Sequence, residues 1–274
     1  MFQAARRRSA ASSAFATFEL IFHSTVRQVR NAHRNALVGL LLAILQTGLG
    51  ILIFWFMFTY LPLSKVPRIR GDMVLYLMSG VFLYMVHIRA TKAVFSAEGP
   101  LSAMMLHEPM NTMISISASA LAALYTQLLS IGVILFLYNA FAGPIEIENP
   151  VGFVAMIILA WLFGVAVGLI LASLRPWWPE ACGIVQTVWT RANIFASGKL
   201  FTANTLSASM LALFSWNPLF HIIDQSRGYM FINYQPRFTS IAYPLAVTLA
   251  LLAIGMLIEF YTRRHISISW SAGR

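Results

Sequence analysis

The chain has 274 residues, 59% hydrophobic and 10% charged, whereas an ordinary soluble domain is about 25% charged. Nineteen basic against nine acidic residues give a formal net charge of +10, but no basic cluster is interleaved with aromatics on a soluble stretch, which argues against a nucleic-acid module. Cys182 is the single cysteine, which excludes an intrachain disulfide and a cysteine-rich metal site and leaves the redox compartment open.

Arg6, Arg7 and Arg8 stand in an N-terminal tail. The residues before the first long apolar run are mostly polar or amphipathic, unlike a cleaved signal peptide, so the N-terminus is expected to be retained. From Phe15 to Arg34, Phe15, Phe18, Phe22, Val26 and Val29 recur at helical spacing, with His23, Arg27, Arg30 and Arg34 on another face. This predicts an amphipathic helix in the membrane surface, cations toward lipid headgroups; the alternative is a cytosolic helix packed on a partner. Residues 1–36 therefore read as cytosolic tail and interface helix, and 37–274 as one transmembrane domain without repeat or soluble linker.

No Asp, Glu, Lys or Arg occurs between Asn35 and Ser64, between Pro109 and Ile145, or between Asn149 and Leu174, and each run exceeds the ~20 residues that cross a bilayer. Spanning helices are predicted at Leu37–Leu61, Met73–Val94, Thr112–Phe141, Val151–Leu174 and Tyr243–Tyr261, with a sixth at Gly183–Leu200, interrupted by Arg191 and Lys199. Leu200 to Ile223 is charge-free and long enough to span, but Asn217-Pro218 interrupts it. Proline removes a backbone donor, and irregular backbone at membrane depth survives only where protein or water surrounds it. With six spans and both termini cytosolic, twelve of the nineteen basic residues fall inside, as the positive-inside rule favours. A seventh span would put Arg263 and Arg264 outside, so Leu200–Arg237 is expected to be a re-entrant hairpin. Lys199, Arg227 and Arg237 then lie on the outer side.

The nine acidic residues map to loops or helix ends, so the mid-span carboxylate common in ion-coupled transporters is missing. The six histidines show no zinc spacing, there is no G-x-S-x-G elbow, and Ser197-Gly198-Lys199 lacks the flanking residues of a P-loop. No catalytic residue or metal site is expected. Gly164 and Gly168 form a GxxxG that serves either dimerisation or packing within the chain.

The most specific segment is Trp216-Asn217-Pro218-Leu219-Phe220-His221-Ile222-Ile223-Asp224-Gln225-Ser226-Arg227. It resembles the W-N-P-L-x-H-x-x-E-x-x-R pattern of permeases for capsular polysaccharide and O-antigen export, of the type-two ABC transporter membrane family, with Asp224 where that family often has Glu. The amphipathic helix, Arg34 and Leu37-Val38-Gly39-Leu40-Leu41 are similar in layout, although aliphatic residues stand where the family more usually has an aromatic. The resemblance implies an all-α, six-span subunit of the bacterial inner membrane, acting as a homodimer with two copies of a cytosolic ABC ATPase. That partner would bind ATP and Mg, leaving no cofactor in this chain. The cargo would be a lipid-linked glycan of capsule or lipopolysaccharide O-antigen type; teichoic acid, another lipid or a drug are alternatives within the same fold, and an integral membrane acyl- or glycosyltransferase is a reading from another class.

Three groups of residues follow as candidates. Leu101, Ser102, Met104, Met105, Leu106, His107 and Glu108, bracketed by Pro100 and Pro109, read as a short cytosolic helix coupling the chain to the ATPase, or as a plain connecting loop. Trp55, Tyr60, Tyr84 and Trp189 offer flat aromatic surfaces for a sugar path, or interfacial anchors. Arg191, among Gln186, Thr187, Thr190 and Asn193, reads as facing a water-filled channel, or as snorkelling to a headgroup. By the resemblance, Trp216, Asn217, Pro218, His221, Asp224 and Arg227 belong to an extracytoplasmic gate; the local alternatives are a turn at Asn217-Pro218 and a helix-surface pair between Asp224 and Arg227.

Overall fold

The computed structural model describes residues 10–31, 36–60, 72–99 and 111–265. Among them the regular elements are all helical: α1 (Ala10–Asn31), α2 (Ala36–Tyr60), α3 (Met73–Phe95), α4 (Thr112–Phe141), α5 (Pro150–Leu174), α6 (Pro179–Ala196), α7 (Ala208–Phe214), α8 (Pro218–Met230) and α9 (Ala242–His265), with a 3-10 turn at Ala203–Thr205. Helices α2, α3, α4, α5 and α9 are long and apolar enough to cross a membrane, at five of the six positions expected from the sequence. Helix α6 is not among them; its 18 residues include Glu180 and Arg191.

Short polar side chains start several helices where the apolar runs begin. Asp72 accepts from the Val74 N–H, Asn111 from Met113, Asn149 from Gly152 and Asn217 from Leu219. Each satisfies one of the N–H groups that a helix start leaves open. Pro150 and Pro218 occupy first-turn positions, where a missing N–H costs nothing.

Helix α3 is the centre. It packs against α2, α4, α5 and α8, and α5 in turn packs against α9. The α3–α5 contact is close because glycines face it: a β-carbon at Gly168 would stand 2.8 Å from the Thr91 carbonyl oxygen, and the Thr91 hydroxyl donates to the Gly164 carbonyl at 3.1 Å. The GxxxG thus serves packing within the chain. Around this contact Phe82, Leu83, Phe163, Leu219, Ile222 and Ile223 are fully buried.

The bundle has two ends. At the upper end, where α3 and α5 begin, the Tyr138 hydroxyl donates to Asp72 and the Asn149 N–H to the Tyr229 carbonyl. At the lower end Arg175 donates to the carbonyls of Phe95 and Ala97, and Arg263 to Asn111. Helix α1 packs along α4 and leaves Phe15, Phe18 and Phe22 exposed. Helices α2 and α6 present outward apolar faces, among them Leu45, Leu52 and Phe56 on α2 and Ile184, Val188 and Phe195 on α6.

Candidate functional site

The residues between α6 and α9 carry the motif and the most irregular buried backbone. Helix α6 ends at Ala196, short of the expected Leu200, because Gly198 takes a left-handed φ of +71°. The chain then turns through Ser197–Phe201, with Ser197, Gly198 and Lys199 buried, runs through the 3-10 turn and α7, and returns in α8. Leu200–Ile223 is therefore not one helix. The turn rests on α3 at Gly80, which lies seven residues from the start of that helix, about 10 Å down at 1.5 Å per residue.

Backbone at that depth needs partners, and Arg227 supplies them. Its Nη1 donates to the carbonyls of Gly198 at 3.0 Å and Phe201 at 2.6 Å, and its Nη2 to that of Lys199 at 2.6 Å. Arg227 is fully buried. The reading of a helix-surface pair with Asp224 is corrected: Arg227 is buried and its nitrogens serve the carbonyls of Gly198, Lys199 and Phe201, while Asp224 accepts from Ala203, Tyr234 and Thr239. The planar guanidinium presents its donors from two nitrogens in a fixed fork, whereas an ammonium donates from a single point.

Asp224 holds the opposite side. It accepts from the Ala203 N–H at 3.0 Å, from the Thr239 hydroxyl at 2.8 Å and from the Tyr234 hydroxyl. Burial and the Asp224 carboxylate push the Tyr234 hydroxyl above its ordinary pKa, so it remains a donor. Asn217 caps α8 and also donates to Asn193 Oδ1 and the Ala196 carbonyl, both at 2.9 Å. His221 accepts from the Ser240 N–H at Nδ1, 3.1 Å away, which leaves Nε2 to donate to the Ser215 carbonyl at 2.8 Å. Pro218 is buried at the start of α8; Trp216 is exposed, and its carbonyl accepts from the Tyr243 hydroxyl at 2.6 Å. The six motif residues thus form one constellation, and five of them are buried.

The aromatic and basic candidates do not converge in the same way. Trp55 and Tyr60 lie on the outward face of α2, and Arg191 is exposed on α6. Tyr84 is buried, its hydroxyl donating to the Thr190 carbonyl at 3.3 Å, and Trp189 turns inward to donate to His87 Nε2 at 3.0 Å. Asn193, grouped with Arg191 by sequence, sits two residues on and faces the protein interior instead. The segment Leu101–Glu108 lies outside the described residues; its flanks, Ala97–Gly99 and Asn111–Thr112, stand at the lower end beside Arg175, Pro176 and Glu259.

Sequence reasoning missed Lys199 and Tyr234 as members of this site. Lys199 is buried, with Nζ 3.6 Å from the Tyr84 ring centre and 4.6 Å from that of Phe54, contacts worth about 0.5–2 kcal/mol each. A lysine directly after Ser-Gly in an apolar stretch was the available signal; Tyr234, in a polar loop, gave none.

No protein-family model matches the chain. Among curated proteins it is 23% identical, over 241 residues, to the polysialic acid transport protein KpsM of Escherichia coli, an alignment covering 88% of this chain and 91% of that protein.

Proposed function

We propose that this chain is the membrane-spanning permease subunit of an ABC exporter that moves lipid-linked polysaccharide, of capsule or O-antigen type, across the bacterial inner membrane. One observation carries the reading: the polar residues of the W-N-P-L-x-H-x-x-D-x-x-R segment are spent on tying down the irregular buried stretch between α6 and α9, whose turn rests on α3 at Gly80. Such backbone persists in a membrane only where protein or a water-filled cavity surrounds it, and a conduit for a polar polymer is such a cavity. The full-length similarity to a polysialic acid transport protein supports the same reading.

In this reading α6 is the sixth crossing, the upper end is extracytoplasmic, and the hairpin from Ser197 through α8 is the re-entrant gate. Both termini are cytosolic, and α1 lies in the headgroup layer with its exposed phenylalanines in lipid. Two copies of the chain meet around the polymer path, with Arg191, Trp55 and Tyr60 on faces that the protomer leaves open. Leu101–Glu108 docks on a separate ATPase that binds ATP and Mg and hydrolyses the nucleotide. The chain itself performs no chemistry.

The test is reconstitution. Tagged chain is purified with candidate ABC ATPases from the same organism, the complex is placed in vesicles, and uptake of lipid-linked glycan is followed with ATP. ATP-dependent movement of the glycan is the expected result. A complex that hydrolyses ATP but moves only phospholipid or a small drug would overturn the substrate assignment, and absence of any ATPase partner would overturn the transport reading.

A further inference from the structure

Between the 3-10 turn and the loop from α8 to α9 lies an open cavity of about 500 Å³, lined by Asn204, Asn233, Gln235 and Arg237 with Ile232 and Phe238 beside them. None of these residues belongs to the motif. From this cavity we infer that the loop is a carbohydrate subsite at the mouth of the conduit, one that takes an acidic sugar unit of the emerging polymer. The inference rests on the polysaccharide reading above.

The loop is built to stay in place. Tyr234 is buried and donates to Asp224, and Thr239 donates to the same carboxylate while accepting from Gln225. Asn204 clamps the stretch between them, its Nδ2 donating to the Gln235 carbonyl at 2.7 Å and its Oδ1 accepting from the Arg237 N–H at 3.2 Å. Pro236 packs where a β-carbon on Gly228 would come within 2.7 Å. These ties use backbone groups, the buried Asp224 and Tyr234, and the half-buried Asn204, Gln225 and Thr239. They leave the Asn233 and Gln235 amides, the Arg237 guanidinium and the Phe238 ring around the cavity.

That remainder fits one chemistry. Each amide offers both a donor and an acceptor, which matches neighbouring sugar hydroxyls. The Phe238 ring and Ile232 give apolar surface for the C–H face of a pyranose, and Arg237 pairs a carboxylate in bidentate fashion. A volume of this size lies in the ordinary range for small-ligand sites. A phospholipid headgroup would instead call for several cations around one phosphate, and among the described residues Arg237 is the single cation on the lining. Pre-ordering of the loop means that little is lost in fixing it when the sugar arrives.

The experiment uses the full chain in its own exporting strain. Benzoylphenylalanine replaces Phe238 or, separately, Ile232, both more than half exposed, and cells are irradiated during export. The expected product is a high-mass, periodate-sensitive, anionic adduct that vanishes when glycan polymerisation is blocked. Arg237→Gln should lower its yield roughly tenfold, the worth of one charge-assisted hydrogen bond, and Arg237→Lys should restore part of it. Adducts with phospholipid alone, or no sugar adduct from either position while the strain exports normally, would overturn the subsite; yield unchanged in Arg237→Gln would overturn its preference for acidic sugars. A strain lacking the chain that still displays its glycan would overturn the exporter reading instead, so the two failures are told apart.

Discussion

The guanidinium carbon of Arg227 lies 4.2 Å from the centre of the Tyr76 ring. Tyr76 is in the first turn of α3, so this contact ties the hairpin's main cation to the central helix while its nitrogens hold the carbonyls of Gly198, Lys199 and Phe201. Arg227→Met should strand those three carbonyls at about 1–3 kcal/mol each. Arg227→Lys, with one ammonium in place of a fork, should recover only part of the loss. The measure is membrane level and thermal unfolding in detergent; a wild-type melt for Arg227→Met would reject the role.

A β-carbon at Gly80 would stand 2.7 Å from the Lys199 carbonyl oxygen, whereas one at Gly132 would meet nothing within 4 Å. Gly80→Ala should therefore displace the turn and lower both stability and export. Gly132→Ala, on the exposed side of α4, should be neutral or stabilising by up to about 1 kcal/mol through helix propensity. Equal behaviour of the two variants in thermal unfolding would count against the close approach at Gly80.

Asn217 joins α8 to the end of α6 through Asn193. Asn217→Ala should cost about 1–2 kcal/mol, since it removes a helix cap as well as that bond. A double-mutant cycle with Asn193→Ala should yield a coupling of about 0.5–1 kcal/mol. Strict additivity would mean that the side chains act independently.

The raised Tyr234 hydroxyl makes a prediction at alkaline pH. In the unfolded chain tyrosine ionises near pH 10, while in the folded chain it keeps its proton to higher pH. Above pH 10 the unfolded state binds fewer protons than the native state, so its stabilising effect is complete below that pH and is lost progressively as pH rises. Tyr234→Phe should unfold at lower temperature at neutral pH and show a shallower decline above pH 10. An identical alkaline slope in the two proteins would assign the decline to other groups.

Arg191 is exposed on α6, whereas Cys182 on the same helix is buried. Arg191→Cys in a Cys182→Ser background should react rapidly with a membrane-impermeant thiol reagent during ATP turnover. Protection in every nucleotide state, together with normal export by Arg191→Leu, would place the side chain against lipid.

The sequence by itself determined what depends on local composition. Charge-free runs longer than a bilayer crossing placed α2, α4 and α5, and long apolar stretches with charges only near their ends placed α3 and α9. The Asn217-Pro218 pair marked a break in Leu200–Ile223. What a side chain faces was decided only by the tertiary structure, because each such contact joins residues far apart in sequence. Arg227 and Asp224 read as a helix-surface pair until the carbonyls of Gly198, Lys199 and Phe201 gather around the one and Ala203, Tyr234 and Thr239 around the other. Tyr84 and Trp189 look like path-lining rings by depth, yet depth along a helix leaves its rotation open, and packing against Thr190 and His87 turned both inward. The GxxxG of α5 was equally ambiguous, and the approach of α3 to Gly164 and Gly168 settled which surface it serves.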